Sequence, residues 1–170
     1  MLAALCVSLI ASFAPLSFAD TLPVVASPSQ SYSVVVDRDL SLEQMIAAGR
    51  YDWVDRDFTP KNFPLTGSGK QKLTVEVVHF GGTMSSEQVV AELSKRGLRL
   101  ATIEELLAFG AQHPNLLHGY EIIVALGSVA EVNGKRIVPC LNRGGRERHL
   151  YFYLSDDVWL GSDRFLAVRN

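Results

Sequence analysis

Four histidines, His79, His113, His118 and His149, are the side chains best suited to proton transfer or metal ligation near neutral pH. None stands at an HExxH or similarly tight spacing, so no metal site is predicted. His113 and His118 flank a loop containing Pro114, where a solvated surface position accounts for them. Ser, His and Asp all occur, but no G-x-S-x-G nucleophile elbow is present. Gly67-Ser-Gly-Lys70 has the glycines and lysine of a phosphate loop without its spacing. Gln71 follows the lysine and no glycine lies five residues before Gly69, so a solvated turn is expected. Cys140, between Pro139 and Leu141 in an apolar run, reads as a buried, inert thiol, since no neighbouring group would lower its pKa.

The carboxylate pairs are no more promising. Glu104 and Glu105 are adjacent on a helix and point in different directions, so they are not a dyad. Asp156-Asp157 reads as a turn, with weak Ca²⁺ binding as the alternative. The expectation is therefore a protein without cofactor or metal that is not an enzyme. A small hydrolase or transferase using His113, His118 or His149 would be the alternative, and a passive structural or assembly subunit a third class.

One segment stands out. In His149-Leu-Tyr-Phe-Tyr-Leu154 a period of two puts Leu150, Phe152 and Leu154 on one face and His149, Tyr151 and Tyr153 on the other. Outward rings are costly in exposed apolar area unless they bind something, and tyrosine supplies contact area at low entropy cost. The expected recognition surface comprises Asn142, Arg143, His149, Tyr151, Tyr153, Asp156, Asp157 and Ser162, with a protein or glycan as ligand. Trp159 and Arg164 are assigned to structure, the indole as a loop anchor and the guanidinium as a partner for loop carbonyls or an Asp. Packing of the ring face beneath the Trp53 or Trp159 segment is the competing explanation.

The elements that must position these residues have clear ends. Ser41…Gln44, Ser85…Gln88 and Thr102…Glu105 are capping boxes that open helices. Gly49, Gly97 and Pro114 mark their ends. The two main helices are expected at 85–96 and 102–113, the first burying Val89, Val90 and Leu93. Residues 73–80 alternate as a strand, and 98–100 form a short extended link. The second half reads as strands at 122–126, 136–141, 149–154 and 164–168. Asn133-Gly134 is a hairpin signal, because a type I′ turn needs positive φ at both central residues. Helices first and an antiparallel meander afterwards give an α+β class. Leu93, Leu106, Phe109, Ile123, Val124, Leu126, Val138, Leu150, Phe152, Phe165 and Val168 are the expected core.

Before Asp37 the only charged side chain is Asp20. Residues 1–19 are apolar and end in Ser17-Phe-Ala19, as a secretory signal peptide does, although no Lys or Arg precedes the run. An anchor or a translated upstream stretch are the alternatives. Pro15 interrupts the run, so no stable membrane span is expected. Residues 20–37 read as a Ser/Pro-rich linker and 38–170 as a single domain, exported to the periplasm or secreted. The chain would be cytoplasmic if the first segment is not translated. The 170 residues carry 16 Lys+Arg and 18 Asp+Glu. That balance offers no basic footprint for nucleic acid, and 48 % apolar residues suffice for a core. Two cysteines exclude a disulfide-built scaffold.

Gly97-Leu-Arg-Leu-Ala-Thr-Ile-Glu-Glu-Leu106 resembles the G-x-R-L-P-T-E-A-E-W helix entry of C-type-lectin-like domains of the formylglycine-generating-enzyme type. Arg164-Phe-Leu-Ala-Val-Arg169 is similar to their closing strand. The same fold carries retroelement-diversified variable proteins, whose final segment presents ligand-contacting side chains, so the resemblance implies ligand contacts in the C-terminal region. Ala101 and Leu106 replace the usual Pro and Trp, and no Gly precedes Arg164. The two active-site cysteines of the enzymes are not recognisable, so their activity is not implied. From about Ser41 onward the chain also resembles a set of uncharacterised bacterial proteins sharing RGLR, EELLAFG, ALGS and a closing RF-AVR, a resemblance that implies no activity.

Overall fold

A computed structural model describes residues 29–116 and 122–170. Among them are three helices and one sheet of nine strands, an α+β architecture. The strands are β1 (Gln30–Asp37), β2 (Trp53–Val54), β3 (Lys70–His79), β4 (Leu98–Leu100), β5 (Ile122–Val124), β6 (Ala130–Val132), β7 (Lys135–Gly144), β8 (Glu147–Leu154) and β9 (Arg164–Arg169). The helices are α1 (Leu42–Gly49), α2 (Ser86–Lys95) and α3 (Ile103–Gln112). Across the sheet the order is β1-β3-β9-β5-β7-β8-β2, with β4 beside β9 and β6 beside β7.

Two expectations are corrected. Residues 30–37 are not linker: β1 pairs antiparallel with β3 along its whole length, from Gln30↔Val77 to Asp37↔Lys70. Its Ser-Tyr-Ser-Val-Val-Val run alternates and buries Val34 and Val36, a pattern that the neighbouring serines disguise. Nor do the helices simply precede an antiparallel meander. Strands interleave with the helices, and β2–β8 and β5–β9 are parallel. Parallel neighbours require crossovers between distant segments, which local patterns do not encode.

Local signals are realised closely elsewhere. Ser41 and Ser85 complete their capping boxes with Gln44 and Gln88. Asn133 and Gly134 both have positive φ between β6 and β7. The third box is half made: Glu105 accepts from the Thr102 N–H at 2.9 Å, but the Thr102 hydroxyl has no partner among the described residues. Ser128 takes its place, its hydroxyl accepting from the Ile103 N–H at 2.9 Å.

The sheet is buried on both faces, unequally. On one, α1, α3 and the stacked Phe58–Phe63 pair cover Val34, Val75, Ile123, Leu141 and Leu150. On the other, Val89 and Leu93 of α2 pack with Val78, Val138, Phe165 and Trp159. Of the expected core, only Phe152 retains partial exposure. Val90, expected inward on α2, is 39 % exposed.

Candidate functional site

The site is built on the β7–β8 hairpin. Register places Asn142 opposite His149, Cys140 opposite Tyr151 and Val138 opposite Tyr153. Leu150 is fully buried on the α1/α3 side, while Tyr151 is 36 % exposed on the other. β2 then pairs Trp53 with His149. The result is a cluster of rings: Trp53 lies 5.5 Å from Tyr151 and 6.0 Å from His149, centroid to centroid. Trp53, Asn142, Glu147, His149 and Tyr151 line a shallow cleft of about 320 Å³. The His149 Nε2 lies 3.1 Å from a Glu147 carboxylate oxygen. The amide oxygen of Asn142 is buried and has no partner among the described residues.

Three of the eight expected site residues, Asn142, His149 and Tyr151, therefore meet. Tyr153 and Asp157 line a neighbouring hollow with Ile122, Trp159 and Leu160. The Tyr153 ring is 6.2 Å from Trp159, and burial is the first cause that pushes its phenol pKa up. The other three stand apart. Arg143 stiffens the hairpin turn, its Nε donating to the Gly145 carbonyl at 2.6 Å. Asp156 is exposed, 3.9 Å from Arg136, beside a cleft between α2 and β7. The Ser162 carbonyl accepts from Arg164 at 2.6 Å. Trp53 and Glu147 are additions that sequence reasoning missed. Trp53 was legible only as a possible cover for the ring face, and it sits at its edge, 42 % exposed.

The structural roles assigned to Trp159 and Arg164 agree with their surroundings. Trp159 is 2 % exposed, its indole N–H donates to the Ser86 hydroxyl at 2.8 Å, and its backbone bridges Met84. Arg164 also donates to the Asp163 carbonyl. Cys140 is buried, and burial pushes its thiol pKa far up, so it stays protonated.

The remaining candidates have structural surroundings. His113 reaches the Ser33 carbonyl and packs against Tyr32 and Phe109. His79 bonds the Gly161 carbonyl. His118 lies outside the described residues. Lys70 pairs with Asp37 at 3.1 Å, and the Gly69 N–H of the glycine turn donates to Asp39. Glu104 and Glu105 are both buried rather than solvated. Arg99 clasps Glu105 with two bonds of 3.0 and 2.6 Å, and this hydrogen bonding to the carboxylate is the first cause that raises the pKa of the guanidinium. Among the described residues no group of three His, Cys, Asp or Glu side chains is placed to hold a metal ion, and no helix is long and apolar enough to cross a membrane.

No family model, no curated protein and no solved structure matches this chain.

Proposed function

We propose that the chain is a non-catalytic ligand-binding module whose recognition surface centres on Trp53, His149 and Tyr151, with a protein or glycan as ligand. The observation that carries it is the pair Trp53 and Tyr151, two large rings side by side and both well exposed, in a cleft whose described lining residues all come from β2, β7 and β8. Exposed aromatic area of this kind is unfavourable in water and favourable against a partner. Asn142 and Glu147 supply polar groups at the rim, and Tyr153 with Asp157 extends the same face. The C-type-lectin-like resemblance adds an analogy, since ligand contacts there also come from the C-terminal segment. Export after loss of residues 1–19 belongs to the same proposal, and N-terminal sequencing of the expressed protein tests it.

The functional test is Trp53→Ala and Tyr151→Ala, read by thermal melting and by binding to a glycan array and to captured proteins. The expected result is a folded variant with binding weakened by about 2 kcal/mol or more, as at interface hot spots. Unfolded variants would make these rings core, and undiminished binding would place the site elsewhere.

The His149–Glu147 pair favours a second reading, a small enzyme using His149 as a general base. Retained turnover of an identified substrate by His149→Ala would remove it.

A further inference from the structure

The two edges of the sheet are finished differently. At one, β1 turns the N–H and C=O of Val35 outward, and Gln112 meets both. Its amide oxygen accepts from the N–H at 2.9 Å and its nitrogen donates to the carbonyl at 2.8 Å. The His113 ring covers the neighbouring Ser33 carbonyl. Unpaired strand edges are templates for association, and natural sheets block them; here two side chains of the α3 C-terminus do so.

At the other edge, among the described residues, β2 pairs with β8 at His149 and Leu150 alone. The Asp52 and Asp55 N–H groups donate to the carbonyls of Arg148 and Leu150, and the chain then turns, the Asp55 carbonyl accepting from Phe58. Alternation along a strand carries the edgeward direction of the Leu150 main-chain groups on to those of Phe152 and Leu154. Pro139, opposite Phe152, agrees with this: its carbonyl faces the far side and accepts from Ala125. The Leu154 carbonyl accepts from Asp157. Among the described residues, nothing hydrogen-bonds the Phe152 N–H, the Phe152 carbonyl or the Leu154 N–H.

We propose that this open stretch of β8 docks an extended peptide segment of a partner protein, which adds as a strand beyond the end of β2. It rests on the binding-module reading of the same face and commits that reading to a protein ligand. Residues 151–154, Tyr-Phe-Tyr-Leu, hold no charge, proline or glycine, so two of the devices that block sheet edges, charged side chains and proline, are missing from this short stretch, whereas side chains cap the other edge. Main-chain bonds to Phe152 and Leu154 supply affinity, and alternate peptide side chains fall against Tyr151 and Tyr153, where specificity is set. A second copy fits less well. Pairing through the same groups, it would bring its own β2 against the turn closed by Asp157 and Leu154.

The test is amide hydrogen exchange on the full chain, alone and with peptides selected from a displayed library of random linear sequences. In the free chain the Phe152 and Leu154 amides exchange quickly, and those of Tyr151 and Tyr153, which face β7, slowly. A selected peptide protects Phe152 and Leu154. An amide-to-ester replacement at Phe152 removes the outward N–H, keeps the side chain and weakens the Tyr151 carbonyl only as an acceptor towards β7; it weakens peptide binding about tenfold, the loss of one hydrogen bond of about 1.4 kcal/mol. Slow exchange at Phe152 in the free chain would overturn the proposal, as would recovery of no peptide, protection elsewhere, or an ester variant that binds normally. Protection that tracks chain concentration would replace the peptide with a second copy. Glycan binding lost in Tyr151→Ala without protection of Phe152 would sink this proposal and leave the binding face standing.

Discussion

The guanidinium of Arg148 lies over the ring of Tyr51, 5.1 Å from its centroid. From there it donates to the carbonyls of Gly49 and Gly110, in the last turns of α1 and α3. One β8 side chain thus ties two helix C-termini to the strand that carries the candidate site, with its charge at the favourable end of both helix dipoles. Arg148→Ala is expected to destabilise the fold by about 3 kcal/mol, since two charge-assisted bonds are lost. Arg148→Lys should rescue little, because an ammonium lacks the planar fork. Urea unfolding measures both. The Tyr51 hydroxyl has no partner among the described residues, so Tyr51→Phe should be neutral or stabilising.

Gly127→Ala should be among the more damaging single-methyl changes. An added Cβ would lie 2.5 Å from the Ala101 carbonyl oxygen, which is backbone and cannot swing aside. The same carbonyl accepts from the Gly127 N–H at 2.9 Å, and the adjacent Ser128 caps α3. The expected loss is about 1–3 kcal/mol for overpacking. Ser128→Ala should cost about 1 kcal/mol as a lost cap. Denaturant midpoints compare the two.

Arg99→Ala should destabilise by about 3 kcal/mol, because it leaves the fully buried Glu105 carboxylate with Arg38, at 3.5 Å, as its remaining cation. Thermal melts of Arg99→Ala against the exposed-pair variant Lys95→Ala separate buried from surface charge. The latter should move stability by less than about 1 kcal/mol.

Two rings on this side of the sheet, Trp159 and Tyr151, should behave oppositely. Trp159→Ala empties a buried indole site and loses its bond to Ser86, at a cost of about 3–5 kcal/mol. Tyr151→Ala should cost about 1 kcal/mol or less in stability, since its ring is well exposed. Calorimetry on the pair checks the division between anchor and contact residue.

Burial raises the pKa of Cys140 above its ordinary 9.0 and that of Tyr51 above 10.0. Both groups stay neutral when folded and ionise when unfolded. Their stabilising effect is whole below the ordinary values and is lost as pH rises from those values towards the folded ones. Above about pH 9 for Cys140 and about pH 10 for Tyr51, the decline approaches about 1.4 kcal/mol per pH unit for each group. Cys140→Ala should make the fall in melting temperature between pH 9 and 10.5 shallower than in the parent.

By itself the sequence determined what depends on neighbours a few residues apart. Serine caps start α1 and α2, Asn133-Gly134 turns the hairpin, and alternation assigns Leu150 inward and Tyr151 outward. These follow from φ preferences, orphan helix N–H groups and side-chain period, all local. What only the tertiary structure decided is who sits beside whom. β1 became a strand because β3 offered it an edge and Gln112 sealed its far side, neither of which lies near it in the chain. Trp53 came to lie against Tyr151 because a two-residue parallel pairing brings residues 53–54 to β8, nearly a hundred positions later. Asp156 and Ser162, grouped with Tyr151 by sequence proximity, were carried off by a turn and a loop. Glu105 was legible as a helix cap, but its burial came from Arg99 and Arg38, which converge on it only when β1, β4 and α3 pack. Non-local pairing is selected by burial summed over the whole sheet, so no single stretch of sequence contains it.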